Sequence, residues 1–371
     1  MLRPRALLKV PQQMRSSEGV YFAGLDHIRA IAAFIVFVWH FNHVRDGHLF
    51  GPSPFPTSIL TEGHIGVAIF MCLSGYLFAK LLDDQKIRYL PFMWNRVLRL
   101  FPLLIVVFVL FAWLRVSPDM LRSYLTSLAA GFVKPSWPSG GWSIAVELHF
   151  YVLLPFLLLL SAKSRVLILS IVLVAFLFRT VWWASEGSVQ TLSYWTIVGG
   201  IDQFAMGIFA FSARRRITGR HGLASGLIVA LAVYVAVFDS IGGFYSNQDY
   251  PSPSPVWVFH PTILAVVFAF LIAWYDTSFK FRVTGFSRFL TMIGSSSYSM
   301  YLLHSFVVFK AARYIDTQII DLSNVYLMLF FATLTFLLFV PVAYLSYRII
   351  ECPPMRFRVR YKISAHLESP K

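Results

Sequence analysis

The sequence predicts an all-α fold: a polytopic transmembrane bundle of about ten helices with both termini in the cytoplasm. Three observations lead there. Of the 371 residues, 57% are apolar and 13% charged, with a mean hydropathy of +0.67, whereas soluble domains run at about 45–50% apolar and about 25% charged. Apolar runs of spanning length, about 17–25 residues, recur along the chain. Lys and Arg are also unevenly shared: 24 of the 32 fall in loops and tails that an N-terminus held inside would place in the cytoplasm.

The expected spans are 25–44, 64–82, 93–114, 142–161, 165–183, 194–213, 222–239, 257–275, 290–311 and 324–350. The first, LDHIRAIAAFIVFVWHFNHV, is one apolar helix carrying Arg29 near its start and His40 eleven residues later. The third opens with FMWNRVLRLFP and the fourth with GGWSIAVELHFY. The ninth reads SSSYSMYLLHSFVV. Inner loops collect the basic residues, among them Lys80, Lys86, Arg88, Arg214, Arg215, Arg216, Arg282 and Arg288. Outer loops hold only Arg45, Arg115, Arg122, Lys134, Lys310 and Arg313, together with the turn-forming stretches GPSPFP, KPSWPSGG and YPSPSP. Residues 1–21 form a basic N-terminal tail without an apolar run of signal-peptide length, 22–354 one membrane domain, and 355–371 a basic C-terminal tail.

Several function classes are disfavoured. The net charge of +15 is scattered over short loops, which suits the positive-inside pattern and not nucleic acid. Two cysteines, Cys72 and Cys352, cannot form a disulfide framework. The chain has no Walker loop, Rossmann fingerprint, GxSxG elbow or HExxH, so a nucleotide-driven pump and a metal centre are not expected.

What remains are ionisable groups inside apolar helices, which are costly there and are read first as parts of a site. His40 lies about 16 Å along its helix from Arg29, roughly half the thickness of the hydrocarbon core. An imidazole is the side chain best suited to take a hydroxyl proton near neutral pH, although a histidine satisfied by a neighbouring helix has the same pattern. Arg96 and Arg99, three apart, share one helix face near the inner end. Two guanidiniums so placed form a clamp for a phosphate, or else a pair that snorkels to the interface. Arg29 belongs to the same cationic mouth, tempered by Asp26 one turn earlier. Glu147 sits below the outer start of its helix and is expected to orient His40 as a triad carboxylate does. His304 is placed at mid-depth, and Trp142, Ser143 and His304 are expected to face the acceptor. Arg179 and Asp202 are further intramembrane charges with no role beyond a structural pair.

With these residues in place, the chain resembles the acyltransferase 3 family of integral membrane acyltransferases. The resemblance rests on LDHIRAIAAFIVFVWH, GVAIFMCLSGYLFAKLL, WNRVLRLFPLL, GGWSIAVELHFYVLLP, SYSMYLLH and YRIIECP, and it spans residues 22–354. Arg29 to His40 fits the family's R-x10-H pattern, and Arg96 with Arg99 its RxxR pattern. The resemblance implies transfer of an acyl group, commonly acetyl, from cytoplasmic acyl-CoA to a hydroxyl of an extracytoplasmic glycan. It makes His40 the catalytic histidine, Arg29 its essential partner, Arg96 and Arg99 donor-binding residues and Glu147 a site carboxylate. His27 departs from the glycine common in relatives and reads as tolerated variation. Some relatives append an extracytoplasmic hydrolase-like domain; this chain is expected to act alone or with a separate partner.

The expected partners are therefore acyl-CoA as donor substrate, a hydroxyl acceptor and membrane lipid, with no permanently bound cofactor, no metal and no nucleic acid. Direct attack of the acceptor on the thioester is the first mechanism and an acyl-histidine intermediate the second. Acylation of a small molecule such as a macrolide, or non-enzymatic transport of a glycan or lipid-linked sugar, are the alternative functions.

Overall fold

Ten helices of 18 residues or more make up the bundle in the computed structural model, which describes residues 21–43, 53–82, 87–245 and 250–362. The N-terminal tail as far as residue 20, together with Arg45, Lys86 and residues 363–371, lies outside the described residues. The long helices are α1 (Ala23–Asn42), α3 (Ile65–Leu82), α4 (Tyr89–Arg115), α6 (Gly141–Lys163) and α7 (Ile168–Glu186). They continue with α9 (Ile197–Ile217), α10 (His221–Ser240), α11 (Val256–Ser278), α13 (Ser297–Tyr314) and α14 (Val325–Ser346). Shorter helices intervene at α2 (Ser58–Thr61), α5 (Leu121–Ala130), α8 (Gln190–Trp195) and α12 (Gly285–Ser295).

Local chemistry sets several of the ends. The Thr196 side chain accepts from the Gly199 N–H to start α9, and Asn324 accepts from Tyr326 and Leu327 to start α14. Gly187, at φ 73°, stops α7 in the left-handed conformation that L side chains disfavour.

Eight of the ten long helices are apolar enough to cross a membrane; α9 and α13 are more polar. Position accounts for that difference in α9, which packs against α3, α11, α7, α6 and α8 and so meets protein on most sides. Across its spanning window α3 is 78% buried, while α7 is only 17% buried and turns its apolar surface outward. Helices in lipid associate through close packing and interhelical polar contacts more than through hydrophobic burial. Both are present. A Cβ on Gly75 would fall 2.1 Å from the Phe204 carbonyl oxygen, and one on Gly207 2.1 Å from that of Cys72, so α3 and α9 cross at backbone contact. At 0% exposure, Arg179 and Asp202 pair at 2.8 Å, and Thr262 of α11 hydrogen-bonds to both. Lys80 and Tyr76 of α3 both reach Asp276 of α11.

Two boundaries differ from the sequence reading. The expected span 290–311 is broken at Ser296 into α12 and α13, because Ser295 and Ser296 turn their hydroxyls back onto the Met292 carbonyl and compete with the helical ladder. The short helices α2, α5 and α8 also went unseen, since four to ten residues carry too little periodicity. His27, read as tolerated variation, is a fastener: it hydrogen-bonds with Ser287 of α12 and Tyr275 of α11 and stands edge-on to Phe281.

Candidate active site

Helix α1 carries one functional group toward each end of the bundle. At its start Arg29, ion-paired to Asp26 at 2.5 Å, lines a cavity that Arg96 and Arg99 of α4 also line. At its far end His40 lines a second cavity. Tyr301 and Val67 line both, so the two spaces abut.

The cation-bearing cavity places Arg96 among the rings of Phe78, Phe92 and Tyr151, with its guanidinium carbon 5.2–5.8 Å from their centres. Its Nε is buried without a hydrogen-bond partner among the described residues. An aromatic cage holds the guanidinium while leaving its donors for a ligand. Arg99 lies in electrostatic range of Glu147 and of Glu351, a buried carboxylate to which Ser299 donates at 2.5 Å.

In the second cavity the His40 Nδ1–H donates to the Val36 carbonyl at 2.8 Å, and the His304 Nδ1–H donates to the Tyr301 carbonyl at 2.5 Å. A carbonyl can only accept, so each ring is fixed as the tautomer whose Nε2 carries the lone pair. The rings stand 4.6 Å apart between centroids, tilted by 67°. Around them Trp39, Trp142, Tyr194, Trp195 and Tyr245 form an aromatic wall. Trp142 packs on Tyr194 and Trp195 at 5.0 and 4.4 Å.

The sequence-predicted residues therefore divide between two rooms. Arg29, Arg96, Arg99, Glu147 and Ser143 line the first; His40, His304 and Trp142 line the second. Two placements are corrections. Glu147 does not reach His40: it accepts from Tyr151 one helical turn on and from Ser74 of α3 at 3.4 Å, while the His40 Nδ1 is taken by its own helix. Ser143 faces the cation-bearing side, where its hydroxyl lies 2.8 Å from that of Tyr301. Gly140 permits this junction; it has φ 77°, and a Cβ there would lie 2.9 Å from the Tyr301 ring.

Sequence reasoning passed over Tyr151, although its i+4 spacing from Glu147 was a usable signal. It also passed over Glu351 and the buried chain in which His64 meets Glu62 at 3.1 Å and His260 at 2.9 Å, for which only the fold supplies neighbours.

The helical membrane bundle thus holds two guanidiniums, that of Arg96 caged by aromatic rings, in one cavity and paired imidazoles in the next. The chain belongs to the acyltransferase 3 family: the family's acyltransferase domain matches residues 22–348. Among curated proteins it is similar to the O-acetyltransferase OatA of Staphylococcus aureus, strains NCTC 8325 and COL. It is 28% identical to each over 393 aligned positions, covering 90% of this chain and 57% of theirs. The chain thus spans a little over half the length of these relatives. No solved structure matches it.

Proposed function

We propose that the protein is an O-acyltransferase that carries an acyl group, acetyl in the simplest case, from acyl-CoA on the cytoplasmic side to a hydroxyl of an extracytoplasmic glycan such as an O-antigen or exopolysaccharide. The observation that carries this reading is the abutment of the two cavities at Tyr301, with Arg96 and Arg99 in one and His40 and His304 in the other. The Arg-rich loops support an orientation in which the first cavity opens to the cytoplasm, and in this reading the membrane is the bacterial cytoplasmic membrane and residues 22–354 act as one unit.

In this mechanism Arg96 and Arg99 hold phosphate oxygens of the donor, and its thioester reaches the junction by Tyr301 and Ser143. The His40 Nε2 takes the proton of the acceptor hydroxyl as its oxygen attacks the thioester carbonyl. The new C–O bond forms, the C–S bond breaks, and the proton passes from His40 to the departing thiolate. Through Nδ1–H, the Val36 carbonyl steadies the imidazolium while it exists. Trp142, Trp195 and Tyr194 offer flat apolar faces on which a sugar ring stacks, which favours a carbohydrate over a macrolide. The OatA relatives are O-acetyltransferases by name, in keeping with this reading.

The test is incubation of the purified chain with acetyl-labelled acetyl-CoA and a surface polysaccharide, followed by mass spectrometry for acetyl increments. Acetylated sugar is the expected product. Movement of glycan across vesicles with no acyl transfer would establish a transporter instead.

A further inference from the structure

Residues 359–361, expected as part of the basic cytoplasmic C-terminal tail 355–371, are fastened to α4. Asn95, fully buried, donates from Nδ2 to the Val359 carbonyl at 2.7 Å and accepts from the Val359 N–H at 3.0 Å. The Arg88 N–H donates to the Tyr361 carbonyl at 2.8 Å, and the Arg88 guanidinium to the Arg360 carbonyl at 2.8 Å. Tyr361 is buried, with its ring 5.5 Å from that of Phe92. Three successive residues of backbone, 359–361, are thereby pinned along the start of α4 that precedes Arg96. A buried asparagine committed to both backbone groups of one residue, Val359, fixes position as well as adding stability.

The residue before Val359 is Arg358. Its Nε donates to the Met355 carbonyl at 3.0 Å, which holds the side chain half-buried beside the strap. Arg96 and Arg99 are both within electrostatic range of it. Burial, then the Arg99 and Arg96 guanidiniums, hold Arg358 below the usual arginine range. Glu147 and Glu351 lie in electrostatic range of Arg99 and offset part of the charge of the three guanidiniums, and a multiply charged anion would balance the rest.

We propose that Arg358 is a third donor-binding cation, delivered by the strap of residues 354–362 to the Arg96–Arg99 end of the inner cavity, where it meets a phosphate of the donor. The inference rests on reading that cavity as the donor site. Its chemistry, a phosphate against three guanidiniums, is shared by an anionic lipid headgroup, and the experiment separates the two sources.

Binding of coenzyme A and of phosphatidylglycerol vesicles to the purified full chain is measured for wild type, Arg358→Gln, Arg358→Lys and Arg99→Gln, with the thermal unfolding midpoint of each. Arg358→Gln is expected to weaken coenzyme A binding roughly tenfold with an unchanged midpoint, and Arg358→Lys to recover part of the loss. Coenzyme A is also expected to slow hydrogen exchange at residues 354–362 in the wild type. If wild type and Arg99→Gln bind coenzyme A equally or not at all, the donor reading itself fails. If Arg99→Gln loses affinity while Arg358→Gln keeps it, or if Arg358→Gln loses only vesicle binding, the role of Arg358 falls and the donor reading stands.

Discussion

The imidazoles of His40 and His304 meet edge to face with centroids 4.6 Å apart, each turned by the same device: an Nδ1–H given to a carbonyl of its own helix. The two residues lie on α1 and α13, 264 positions apart in sequence, yet they present matching tautomers to one cavity. His304 packs against the His40 ring, and in the proposed mechanism it shares the acceptor hydroxyl.

From this pair follows the first prediction. His40→Ala abolishes acyl transfer, and His304→Ala lowers the turnover number about 100-fold or more, both with expression and unfolding midpoint near wild type. Initial rates with labelled donor check this. Wild-type turnover by the His40 variant would remove the mechanism.

The guanidiniums of Arg96 and Arg99 give the second. Arg96→Ala and Arg99→Ala each raise the KM for the acyl donor about tenfold and leave the KM for the acceptor unchanged, because the lost charge-assisted bonds are made to the donor. Steady-state kinetics with each substrate varied in turn distinguishes this from a general loss of folding, which would lower turnover for both.

A third concerns the buried pair Arg179–Asp202. Asp202→Ala strands a guanidinium at 0% exposure and destabilises the fold by about 3–5 kcal/mol. The double variant Arg179→Met, Asp202→Leu, which leaves no charge behind, regains most of that loss. Unfolding in detergent measures both, and a double variant as unstable as the single one would contradict the account.

The fourth is a pH dependence. Glu62, between α2 and α3, is pushed up to about 8 from its ordinary 4.5 by burial, with the Phe244 N–H opposing. From pH 4.5 to 8 the folded chain keeps a proton that the unfolded chain releases, so this group's stabilisation is whole below 4.5 and is lost as pH rises through 8. Burial moves His64 the other way, to about 3 from 6.5, so its contribution grows with pH only up to 6.5. Between pH 6.5 and 8 His64 no longer opposes the Glu62 effect. Wild type should lose unfolding temperature across that window, and Glu62→Gln should show a flatter curve; equal slopes would refute the assignment.

The amino-acid sequence by itself determined the class of the protein and most of its helices, because a spanning segment must satisfy its own backbone and advertise itself as a long apolar run. It also determined that Arg29 and His40 sit toward opposite ends of one helix, and that Arg96 and Arg99 share a face, since 1.5 Å of rise and 3.6 residues per turn follow from local geometry. Only the tertiary structure decided what each group meets. It gave His40 to His304 and Val36, and kept Glu147 with Tyr151 and Ser74. It also brought Arg358 back from the chain's end to Arg96. Those partners lie on other helices or in other turns, and the crossing of α3 against α9 at Gly75 and Gly207, with the polar fasteners around it, sets their separation by packing that no single segment encodes.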